Sequence, residues 1–130
     1  MSSSLDDVKA RINTIEESYE FFLAYAAQGL TTDQGAKAGG QLRDFLGKLE
    51  AALDGLADQV EAVVVDVEPE SAWMDMVAVV RTDARAASAA VRLVVARPGV
   101  SSQLIDNLNA NIHLRALLTD LFLVSDLIAG

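Results

Sequence analysis

Residues 101–130 read SSQLIDNLNANIHLRALLTDLFLVSDLIAG, the most apolar helix-like stretch of the chain. At helical spacing Leu104, Leu108, Asn111, Arg115, Leu118, Phe122 and Ser125 share one face, close to a seven-residue repeat. Leu114, Leu117, Leu121 and Ile128 lie to one side of it, and Ile105, Ile112 and Leu123 to the other. The polar remainder is narrow: Asp106, Asn109, His113, Asp120 and Asp126. An ordinary surface helix carries an apolar stripe a little over about 100° wide. At about 100° per residue this one covers roughly twice that. Such a helix is central in its own fold or touches another chain. Ser101 or Ser102 can cap its start, and Pro98-Gly99 breaks any helix running in.

Three earlier segments carry helical seams of their own. In the first, Ser4 reads as a cap with Asp6 and Asp7 in the first turn. Leu5, Val8, Ile12, Ile15, Tyr19, Leu23 and Ala26 form its seam, with Phe21 and Tyr25 pointing away. Thr31 to Gln34 then matches a capping box, but Gly35, Gly39 and Gly40 weaken a helix there by up to about 1 kcal/mol each. Residues 33–40 therefore read as either helix or loop. From Gln41 the seam is Leu42, Phe45, Leu46, Leu49, Leu53, Leu56, Val60, Val63 and Val67. Val63-Val64-Val65 has strand propensity, yet the helical period continues through it, which favours helix. Pro69 stops this segment and Ser71 can cap the next. There Trp73, Val77, Val80, Ala84, Ala87, Val91 and Val94 alternate spacings of four and three, the seam of an antiparallel bundle.

The chain is accordingly expected to be all-α: a single-domain, antiparallel, up-down-up-down four-helix bundle. Its helices are expected at about 4–28, 33–67, 71–97 and 101–128.

Composition narrows the classes of function. At 130 residues, 52% of them hydrophobic, the chain can build one core without disulfides or metal. There is no cysteine, hence no thiol catalysis or cysteine zinc site. The start, MSSSLDDVKAR, has no basic flank before an apolar run, and uncharged apolar runs fall short of a membrane span. A cytoplasmic protein that does not engage membranes is expected. The formal net charge is −9, with 15 acidic and 5 basic residues in the first 75. Such an acidic chain repels phosphates, which argues against nucleic-acid binding.

Catalytic chemistry is not signalled. GAKAGG at 35–40 lacks the Lys-Ser/Thr ending of a phosphate loop, and no Gly-x-Ser-x-Gly elbow occurs. A di-iron bundle needs two Glu-x-x-His pairs, whereas the single histidine, His113, follows Ala110 at that spacing. No cofactor or metal is expected, and His113 reads as solvent-exposed. Arg81, Arg85 and Arg92 are expected to pair with Asp54, Asp58 and Asp44 of helix two.

Arg115 and Asn111 are the odd residues of the last segment, both on its apolar seam. Buried arginine is rare unless paired. The bundle register places Arg115 near Ala84 and Ser18, within reach of Glu16 or Glu20. The expectation is a buried ion pair or a polar pocket lined by Glu16, Tyr19, Glu20, Ser88, Asn111 and Arg115. The ridge Leu114, Leu117, Leu121 and Ile128 is the expected interface, because a symmetric dimer can set it against itself. The leading expectation is a non-catalytic interaction protein, an accessory subunit, adaptor or specialised chaperone that binds a protein partner and forms a homodimer. The alternative is a bundle that binds an anion or small molecule in the pocket around Arg115.

Overall fold

In a computed structural model residues 2–129 are described, with side chains from Ser4 to Ile128. They form six helices and, among the described residues, no strand. These are α1 (Ser2–Ala27), α2 (Lys37–Leu53), α3 (Leu56–Val64), α4 (Glu70–Val95), α5 (Ser102–Asn109) and α6 (Ile112–Ala129). Helix α1 packs on α2, α3, α5 and α6, and α4 packs on the same four. One apolar cluster runs through all six. The valine run is helical: Val64 is buried at the end of α3 and Val65 emerges into solvent. Pro69 sits at the start of α4 and Pro98 in the loop after it.

Two of the four expected helices are interrupted. The second breaks at Asp54-Gly55, where Gly55 takes the left-handed conformation (φ 73°) that glycine adopts without strain. Arg11 of α1 donates to the carbonyls of Ala52 and Asp54, satisfying acceptors freed where α2 ends. The last breaks at Ala110-Asn111. Asn111 Oδ1 accepts the amides of His113 (3.0 Å) and Leu114 (3.3 Å), capping α6. Ser101 caps α5 in the same way through Leu104 N–H.

The buried faces follow the expected seam in α4 and depart from it in α1 and α6. In α4 the expected seam is buried at all seven positions. In α1 the buried face runs Val8, Ile12, Ile15, Ser18, Phe22 and Tyr25. The seven-residue repeat of Val8 and Ile15 continues to Phe22, with Ser18 and Tyr25 beside it, where the expected seam steps to Tyr19, Leu23 and Ala26. Tyr25 is fully buried, contrary to the expectation that it points away from the seam, and Leu23 is exposed. Ser4 lies within α1 and Ser71 within α4, so neither caps its helix.

The correction in α6 is larger. With the helix restarted at Asn111, the core face becomes Leu114, Leu117, Leu118, Leu121 and Val124. Ile128 is half-buried against the same core. The ridge expected at a dimer interface is therefore the interior of the chain's own fold. Arg115 and Phe122 turn outward instead.

Residues 28–36 form a loop, so Thr31 starts no helix. The loop is tied to the one between α4 and α5. Asp33, 7% exposed, accepts Val100 N–H at 2.7 Å and Arg43 Nε at 2.8 Å. Arg43 also donates to the carbonyls of Val95 (3.0 Å) and Arg97 (2.8 Å), a cation closing the C-terminal end of α4. Ser102 bridges α1 and α5 through Tyr25 O (2.6 Å) and Leu30 N–H (2.9 Å), and Tyr25 Oη donates to Val100 O (2.7 Å). The loop crosses α2 so closely that a Cβ on Gly39 would lie 1.8 Å from Asp33 O. Only glycine fits there.

Two stability predictions follow from this packing. Leu117→Ala is expected to cost about 2–5 kcal/mol, the range for a fully buried leucine. In urea titrations Phe122→Ala should cost clearly less, because Phe122 is 45% exposed. The reverse ranking would place the core on the other face of α6. Asp33→Ala leaves Val100 N–H unpaired and removes the anion from Arg43, for an expected loss of about 2–4 kcal/mol. A change under about 0.5 kcal/mol would show that the two loops are held by other contacts.

Candidate functional site

The residues expected to line a polar pocket are not brought together. Arg115 is exposed and makes no ion pair among the described residues. On α1, Glu16 and Tyr19 are half-buried and Glu20 is exposed. Asn111 is occupied as the cap of α6. Ser88 lines a surface cleft on the other side of α4, beside Arg85, Arg92 and the start of α3. The restart of the helix at Asn111 removes Arg115 from the interior, and the pocket with it.

Arg81 pairs with Asp58 (2.8 Å), as its expected register implies, and also with Glu61 (3.0 Å). Asp54 and Asp58 line the same cleft as Arg85 and Arg92, but neither of these two arginines forms the expected ion pair among the described residues. His113 is exposed, as its place on the polar face of the sequence implies. Asn109 is not: it is buried, with its Nδ2 donating to Tyr19 O at 3.1 Å.

The unexplained surface lies where α4 and α6 run antiparallel. Met76, Leu123 and Leu127 line a groove closed at one end by Val67, Pro69 and Trp73. Leu123 is 51% and Leu127 56% exposed, and Val79, one turn beyond Met76, is 46% exposed. Next along the same two helices, Asp83 of α4 meets Asp120 of α6. The Asp120 Oδ2 atom is buried without a hydrogen-bond partner. No ion pair among the described residues involves either carboxylate. Arg81 and Arg85 stand two residues to either side of Asp83, about 200° around the helix, and point elsewhere.

Burial, then the hydrogen bond and charge of Asp83, push the Asp120 carboxyl up from its ordinary 3.8 to about 7. Asp33 moves the opposite way. Burial raises it, but the Arg43 hydrogen bond, the Val100 amide and the Arg43 charge together outweigh burial and hold it below its ordinary value. Sequence reasoning missed Asp33 and Arg43, because ten residues separate them and nothing local marks the pair. It also missed Asp83 with Asp120, although the antiparallel register of the two seams would bring them to one level.

A carboxyl with a raised folded-state pKa gives its full stabilisation below its ordinary value and loses it as pH rises through the folded value. Asp120 should therefore make the protein less stable between about pH 4 and pH 7 as pH rises. Asp33, with a lowered value, contributes fully above 3.8 and loses that contribution only at lower pH. Urea midpoints are expected to be higher at about pH 5 than at about pH 8, and Asp120→Asn should flatten the difference. An undiminished difference in Asp120→Asn would assign the dependence to another group.

Compared with known protein families, curated proteins and solved structures, the chain matches none.

Proposed function

We propose that this chain is a non-catalytic helical interaction protein, an accessory subunit, adaptor or specialised chaperone acting in the cytoplasm on a protein partner. The observation that carries the reading is the outer α4–α6 groove, whose large apolar side chains remain in water after the core is complete. Contiguous apolar surface on a small protein is a mark of a binding site. The finer architecture supporting this reading is an up-down-up-down four-helix bundle, with its second and fourth helices each interrupted once.

Self-association through Leu114, Leu117 and Leu121 loses its basis with their burial. A homodimer would have to use the outer groove instead. The alternative of an anion or small molecule held around Arg115 loses its centre, since that side chain is in solvent.

The test is isolation of the tagged chain from its native host under mild conditions, read by native mass spectrometry. One protein retained at fixed stoichiometry is the expected outcome. Recovery of the chain alone, or with only a small molecule bound, would overturn the reading.

A further inference from the structure

The α4–α6 groove joins an apolar trough to a pair of carboxyl groups that no cation among the described residues answers. Met76, Val79, Leu123 and Leu127 form the trough, and Asp83 with Asp120 follow about one turn further along. We propose that this groove docks a basic amphipathic helix of a partner protein, its apolar stripe covering the trough and its Lys or Arg received between Asp83 and Asp120. The proposal deepens the interaction reading above and rests on it.

Shape and charge select this occupant. Two antiparallel helices leave a straight groove, and a third helix can lay its apolar face in it. The small residues Ala72, Ala86 and Ala116 on the facing turns let a backbone come close. The charged residues beside the trough are acidic: Glu68 lines it, and Asp75 and Asp126 are exposed on the adjoining turns. Of the basic side chains on α4 and α6, Arg81 is engaged by Asp58 and Glu61, Arg85 and Arg92 line the cleft on the other side of α4, and Arg115 lies about 140° around α6 from Asp120. His113, two turns from Asp120, is exposed. A second copy fits poorly. A two-fold axis through the groove would bring two Asp83–Asp120 pairs together with their acidic rims. Like charges facing across an interface oppose association. The upward push on Asp120 has the same origin as the selectivity, a carboxyl pair without a counter-charge.

The probe is a synthetic helical peptide of about 18 residues, roughly 27 Å long, with leucines on one face and lysines beside them. Its counterpart carries glutamates in place of the lysines. Trp73, the only tryptophan, lines the groove and reports binding by its emission, while amide shifts of the full chain locate it. The lysine peptide is expected to bind at least about ten-fold more tightly, with shifts confined to α4 and α6. Asp83→Asn with Asp120→Asn should erase the preference. The same charge change at the exposed Asp6 and Asp7, by Asp→Asn at both, should retain it. Leu123→Gln with Leu127→Gln should weaken both peptides, and circular dichroism checks that each variant is folded.

Equal binding of the two peptides, an unchanged preference in the Asp83/Asp120 variant, or shifts on other helices would each overturn the proposal. So would no binding of either peptide. In that case co-purification from the host still decides separately whether the chain is an interaction protein at all. A doubled mass in light scattering, halved by Leu123→Gln with Leu127→Gln, would identify a second copy as the occupant and overturn it as well.

Discussion

The carboxylate of Asp33 joins two loops that are distant in sequence, and much of the packing depends on that junction. One oxygen takes the Val100 amide and the other the Arg43 guanidinium, whose remaining N–H groups close the end of α4. A buried carboxylate is costly unless it is paired and hydrogen-bonded, and here both conditions are met by different elements. The consequence is geometric. Val100 also accepts from Tyr25, and Ser102 bonds to both Tyr25 and Leu30, so α1, α2, α4 and α5 are located relative to one another at a single end. Gly39 is part of the same device, since any side chain there would displace the loop that carries Asp33.

The opposite end is built differently. The loop from Val65 to Pro69 and the last turns of α6 meet through apolar contacts of Val67, Trp73, Leu123 and Leu127. The side-chain hydrogen bond found in that loop is local, from Glu70 N–H to Glu68 Oε2 at 3.3 Å. Polar bonds are directional and hold one arrangement, whereas burial of apolar surface is non-directional. The fold is thus pinned by directional bonds at the Asp33 end and closed by apolar contact at the end where the groove opens.

How much of this was legible in the sequence depended on whether a segment obeys one rule along its whole length. α4 does: its seam of seven is buried as its spacing implied, because nothing interrupts the helix between Pro69 and Val95. α1 needed only its seven-residue repeat carried through: two successive steps of four after Ile15 put Tyr19 and Leu23 on the expected seam, whereas Ser18, Phe22 and Tyr25 reach the core. The last segment failed for a local reason. Read as continuous, it put Arg115 inside and Leu117 outside. A single cap at Asn111 rotates the face and exchanges them. Asn is among the best capping residues, so the signal was present in Asn109-Ala110-Asn111 but outweighed by the apolar period around it. The Asp33–Arg43 pair had no such signal, because long-range pairing is a product of the fold and not of any window of the chain.

The outer groove remains the place where the chain departs from what its own stability favours. A lysine opposite Asp120 would neutralise the pair, and a polar residue at Leu123 or Leu127 would leave less apolar surface in water. Neither change would disturb the core, which is closed by Leu117, Leu121 and Val124 beneath. Local choices that oppose the stability of an otherwise consistent fold concentrate at functional sites. Here two such choices, exposed leucine and unanswered carboxylate, sit one helical turn apart on the same pair of helices. A single ligand that is apolar along one stripe and cationic beside it answers both, whereas a ligand of either character alone leaves the other unexplained.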